Sequence, residues 1–152
     1  MSLRWLLAAA HLMGLGVGLG AVWARARALQ GELDAARLRQ AFYADSWWGI
    51  AAVIWIATGL WRLFGGLEKG TAYYFHNYLF WVKMACLALI LILEIAPMTG
   101  LIRWRMKAAR GEVVDTSSAK RFAVISMIQA VLVVLIVFAA TGMARGYGSA
   151  HT

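Results

Sequence analysis

Four stretches of this chain are apolar for about the length that crosses a bilayer: residues 3–24, 46–64, 78–101 and 122–144. A spanning helix needs ~20 apolar residues, because a rise of about 1.5 Å per residue must cover roughly 30 Å of hydrocarbon. That layer holds no water, so every backbone N–H and C=O must be satisfied within the protein, and an apolar run folds as a helix. The 152 residues are 62% hydrophobic and 14% charged, too apolar for an added soluble domain. The expectation is a single all-α membrane domain over residues 1–152, an up-and-down bundle of four transmembrane helices. The first run also reads as a signal peptide ending at "AVWA". It is longer than a signal core, so a retained helix is expected.

The links between the runs set an orientation. The link from Arg25 to Asp45 carries Arg25, Arg27, Arg37 and Arg39, and its Ala/Leu-rich composition predicts a helical extension. The link from Ile102 to Arg121 carries Arg103, Arg105, Lys107, Arg110, Lys120 and Arg121. Within it, Gly111 and "DTSS" read as a helix stop followed by an N-cap. The middle link, Gly65 to Asn77, holds Lys69 and is otherwise short and aromatic, as a membrane-interface loop would be. By the positive-inside rule the first and third links face the cytoplasm, and both termini lie on the outer side of the membrane. The net charge of +8 is then a feature of loops beside anionic lipid rather than of nucleic-acid binding. The single cysteine, Cys86, lies inside an apolar run and excludes an internal disulfide or a CxxC site.

The third run contains two ionisable residues, Lys83 and Glu94. Each costs about 2.5–3.5 kcal/mol on insertion scales if it faces lipid. Helical rise places Lys83 in the outer third, at the depth of His11 in the first span, Arg62 in the second and Thr141 in the fourth. Four helices with a polar group at one depth predict an inward polar pocket, although a lysine there can also snorkel to the interface. Glu94 sits about 16 Å further in, near Gln129, where a contact with Arg25 or Arg103 would form an interhelical polar clamp. Pro97 follows it and is a candidate kink.

His11, Gly14 and Gly18 share one face of the first span. Glycines beside a histidine leave room for a flat ligand, and neutral imidazole is a common axial ligand of haem iron. Arg62 and Lys83 would then meet the propionates, with Tyr73 and Tyr74 at the outer mouth. The plainer account of the same stripe is close helix packing. His76, in the interface loop, is the weaker ligand, and His151 reads as a solvated tail residue. The glycines of "GLGVGLG" follow no strand, so they form no phosphate loop.

The phrases "RARAL", "ADSWWGIAAVIWIATGLWRLF", "EKGTAYYFHNYLFWVKM" and "LEIAPM" resemble a bacterial family of small predicted membrane proteins, number 2214 in the domain-of-unknown-function series. That family is similar, at a distance, to a four-helix group that includes the copper-resistance D type and the HemJ-type protoporphyrinogen oxidase. The resemblance implies a functional histidine in the first span and lysine in the third, with haem b as cofactor. His11 in "AAAHLMGLGV" and Lys83 in "LFWVKMACLAL" match those positions, and are the candidate catalytic pair, with His11 as the metal ligand. "EKGTAYY" and "LEIAPM" do not belong to the HemJ pattern.

Two functions are therefore expected to compete. One is a haem- or porphyrin-binding membrane protein, an oxidoreductase of HemJ-like type. The other is a non-enzymatic accessory subunit or assembly factor of a larger membrane complex. A homodimer is the expected partner state, because the glycine stripe exceeds what one bundle uses.

Overall fold

The computed structural model describes residues 2–66 and 69–149; His151 and Glu68 lie outside them. It contains α1 (Leu3–Ala28), α2 (Ala35–Phe64), the short α3 (Thr71–Phe75), α4 (Tyr78–Ala109) and α5 (Ala119–Ala144). The four long helices are long and apolar enough to cross a membrane.

Their ends follow from local chemistry. Asp34 caps α2 by accepting from the Arg37 N–H at 2.8 Å, and Asn77 caps α4 by accepting from the Leu79 N–H at 2.9 Å. Gly31 and Gly111 have φ of +83° and +71°. Both stand just past a helix end, where the left-handed conformation favours glycine. Asp115 accepts from the Ser117 N–H at 3.0 Å in the turn before α5, and this bond, with one from the Ser117 hydroxyl, holds its carboxyl below the usual range.

The helices outrun the hydrophobic stretches. The helical extension expected between residues 25 and 45 is present: α1 continues to Ala28 and α2 begins at Ala35. Likewise α4 runs unbroken through Pro97 to Ala109. Alanine, leucine, arginine and glutamine all favour helix, so each helix continues past the apolar zone until a glycine turn.

Contacts fix the directions. His11 of α1 lies against Trp55 and Thr58 of α2, whereas Arg25, further along α1, meets Asp45, earlier in α2. The two run antiparallel. Arg25 also meets Glu94 of α4, while His11 and Lys83 share a cavity, so α1 and α4 run parallel. Gln129 and Thr141 place α5 antiparallel to α4. Backbone packing is close between α1 and α2, α1 and α5, and α4 and α5. Sequence neighbours α2 and α4 are instead joined by side chains and by α3, and this opens space between them.

The seam of α1 and α2 shows why glycine is present. A Cβ at Gly14 would meet the Trp55 N at 3.2 Å and the Ala51 O at 3.3 Å, and one at Gly18 would touch Ala51 and Trp48. Close approach of this kind is how helices associate in lipid, where apolar burial gives no drive. Gly16 and Gly20 meet no neighbour within 4 Å and face outward. Between the four helices, Val22, Trp48, Trp55, Ile90, Val133 and Ile136 fill the middle of the bundle. Leu29, Leu101, Trp104 and Phe122 fill the end nearer Arg25.

Candidate functional site: a cavity at the histidine end

Polar side chains gather in two layers, about 21 Å apart along α1 between His11 and Arg25. The histidine layer surrounds a cavity of about 460 Å³. All four long helices line it, and α3 closes it from the end. His11, Arg62, Tyr73, Tyr74, Lys83 and Thr141 are on its wall, as is Lys69. Its volume falls within the range of small-molecule sites.

His11 is buried at 9% exposure. Its Nδ1 lies 3.0 Å from the Trp55 carbonyl oxygen and 2.9 Å from the Thr58 hydroxyl. A carbonyl only accepts, so Nδ1 is the donor of this pair. Thr58 in turn donates to the Ile54 carbonyl at 2.7 Å, which orients its oxygen as an acceptor for the histidine. The ring stacks on Trp55 at 5.8 Å between centroids. A Cβ on Gly59 would stand 3.1 Å from its Cε1. The imidazole is thus held on three sides by α2. An Nδ1–H bound to a backbone carbonyl is the usual support of a metal-ligating histidine.

The cationic groups are less enclosed. Arg62 and Lys83 are half-buried and Lys69 is exposed at the mouth. Lys69 lies over the Tyr73 ring at 4.7 Å. The Tyr73 hydroxyl donates to the Met143 carbonyl at 3.2 Å, which ties α3 to the end of α5. Tyr74, Phe75, Phe80 and Trp81 pack ring to ring at 5.5–5.8 Å, and of these Tyr74 and Phe80 line the cavity. His76 stands outside, its Nδ1 donating to the Ala72 carbonyl at 2.7 Å.

Five of the seven residues proposed from sequence line this one cavity: His11, Arg62, Lys83, Tyr73 and Tyr74. Gly14 and Gly18 do not. Their faces are filled by α2, so the space expected for a flat ligand beside them is helix packing. Trp55, Thr58, Gly59 and Lys69 are new to the site. The first three form an i, i+3, i+4 face of α2 that continues to Arg62 at i+7, a pattern readable in the sequence.

The second layer answers for Glu94. The Arg25 side chain, at 0% exposure, donates to Ser126, Asp45, Glu94 and Gln129 at 2.7–2.9 Å. Gln129 donates back to Glu94 at 2.8 Å and to the Ile90 carbonyl at 3.1 Å. Arg105 reaches Asp45 at 3.0 Å. Two arginines and two carboxylates make the cluster neutral, and it joins all four long helices. Arg105, not Arg103, completes it; Arg103 is exposed.

Among the described residues no three His, Cys, Asp or Glu side chains converge as a metal cage. A metal at His11 would therefore bring most of its own ligands, as a porphyrin does. That donor set fits haem: one imidazole held through its Nδ1–H, and three cations around the same cavity.

Fold and sites together define a four-span helical membrane protein with a polar cavity at one end and a neutral ion cluster at the other. The chain matches the family model described as "Predicted membrane protein (DUF2214)" over residues 3–148, and it belongs to that family. No curated protein and no solved structure matches it.

Proposed function

We propose that the cavity at the histidine end binds haem b or a related porphyrin, which His11 would hold at its iron and whose carboxylates Arg62 and Lys83 would meet. Lys69 adds a third cation at the mouth, and Tyr73 and Tyr74 border it. The observation that carries this reading is the Nδ1–H of His11 bound to the Trp55 carbonyl on the wall of a cavity that also holds three cations. A bound haem would supply one-electron chemistry at its iron. The protein would supply an imidazole, positive charge for the propionates and aromatic side chains on the cavity wall. An oxidoreductase of HemJ-like type is the activity this arrangement serves, with His11 and Lys83 as its catalytic pair. The location proposed is the bacterial inner membrane, with both termini outside.

Titration of purified protein with haem tests the proposal. A Soret band that saturates near one haem per chain supports it; a spectrum equal to haem in detergent alone overturns it.

A second reading, an accessory subunit or assembly factor, draws on one feature. Gly16 and Gly20 are four residues apart on an outward face that the bundle itself leaves unused. A homodimer or a larger membrane complex is the partner proposed on this ground. A stable assembly purified without pigment favours this reading.

A further inference from the structure

A second hollow lies away from the cavity, on the outer surface of the α1–α2 seam near the link between them. Its volume is about 1040 Å³ and it is open to the surroundings. Its floor is made of alanines: Ala21, Ala24, Ala28, Ala36 and Ala44 line it. Small side chains on both helices let them close together and leave a trough above the seam. One end of the trough carries Arg27, Arg37 and Arg39. The other carries Val17 and Trp47, ten residues, or about 15 Å, further along each helix.

The first end keeps an excess of positive charge, three arginines against Glu32 and Asp34 of the link beside them. No Asp or Glu lines the trough, and among the described residues no carboxylate pairs with these three arginines. Asp45 is turned inward to Arg25 and Arg105. Two of the arginines are also positioned. Arg37 donates to the Gln30 carbonyl at 2.8 Å, and Arg27 to the Gln30 side-chain oxygen at 3.2 Å. Both guanidiniums are thereby brought beside one turn, with donors to spare. Tyr43 and Trp47 are exposed on the same side, at 69% and 43%. Aromatic rings of this kind settle at the membrane interface.

We infer that this trough seats an anionic phospholipid. Its phosphodiester is held by Arg27, Arg37 and Arg39 and one acyl chain lies over the alanine floor toward Val17 and Trp47. The match is in two parts. Guanidinium groups bind phosphate oxygens through paired N–H donors. The alanine floor gives an acyl chain a smooth apolar bed about 15 Å long. General attraction of basic loops to anionic lipid needs only the charges; a seated lipid needs the floor as well. The inference is independent of what the histidine cavity binds.

The test uses the full chain in a neutral detergent, with dioleoyl-phosphatidylglycerol, dioleoyl-phosphatidylcholine and glycerol 3-phosphate as probes, read by native mass spectrometry and by thermal shift. Phosphatidylglycerol is expected to bind at least about tenfold more tightly than phosphatidylcholine. Arg27→Gln and Arg39→Gln should each weaken it about fivefold. Ala24→Leu fills the floor without changing charge, at an exposed position that the fold tolerates, and should also weaken it. Equal affinity for the two lipids overturns the proposal. So does unchanged phosphatidylglycerol binding in Ala24→Leu, which would leave only diffuse charge attraction. Glycerol 3-phosphate competing as well as the whole lipid would show an anion site with no acyl seat, and also overturns it.

Discussion

Arg25 of α1 and Glu94 of α4 face each other through two parallel hydrogen bonds, Nη1 to Oε1 at 2.8 Å and Nη2 to Oε2 at 2.9 Å. This fork-to-fork geometry is the strongest form of the arginine–carboxylate pair. It lies inside a bundle whose apolar packing is otherwise shared with lipid. The pair explains how a glutamate is accepted in a spanning helix: its charge is cancelled and its oxygens are satisfied by Arg25 and Gln129.

Breaking that pair from either side should be costly, since it leaves a buried charge behind. Glu94→Gln and Arg25→Leu are each expected to lose about 3–5 kcal/mol of stability. The double variant should lose less than the sum of the two, as coupled residues do. Unfolding in mixed micelles measures all three. Additive losses would show that the two residues do not act as a unit.

The glycines of α1 should divide into two classes. Gly14→Leu must push α2 away from α1, because its Cβ alone would stand 3.2 Å from the Trp55 backbone. A loss of about 1–3 kcal/mol is expected from overpacking. Gly16→Leu points into open space and should leave the isolated bundle intact. Comparable losses at both positions would contradict the helix pairing described here.

The four spans were legible in the sequence because lipid demands long apolar helices and nothing else satisfies the backbone there. The polar pocket was legible in part: equal depth on four helices picked out His11, Arg62, Lys83 and Thr141. The role of Gly14 and Gly18 was not. Sharing a helix face with His11 says which way they point, but not that α2 fills the space. The sequence reading left Arg25 and Arg103 open as partner of Glu94; Arg103 lies nine residues on in the same helix and faces the opposite way, and Arg25 makes the pair. Thr58 and Gly59 were missed for another reason. Neither is ionisable, and their part is to hold the imidazole rather than to bind a ligand.

The orientation rests on the charge pattern and can be tested without any ligand. In a variant lacking Cys86, single cysteines at Thr71 and Ser117 lie in links at opposite ends of the bundle. A membrane-impermeant thiol reagent added to intact cells should label position 71 and not position 117. Labelling of position 117 alone would invert the topology.

Lys83 separates a site from an interfacial anchor. If it only snorkels, Lys83→Met removes a charge from an apolar helix and should be tolerated. As a carboxylate partner on the cavity wall, its loss should weaken porphyrin binding by about tenfold or more. Lys83→Arg keeps the charge and should be intermediate. Haem titration of the three proteins gives the comparison, and unchanged affinity in Lys83→Met would remove it from the site.

The most direct measurement is the absorption spectrum of gently purified protein, with and without added haem, for the native chain and for His11→Ala and His76→Ala. The account predicts a Soret band in the native chain and in His76→Ala, and its loss or a marked shift in His11→Ala. No band in the native chain even after haem is supplied, or a band that survives unchanged in His11→Ala, would contradict it.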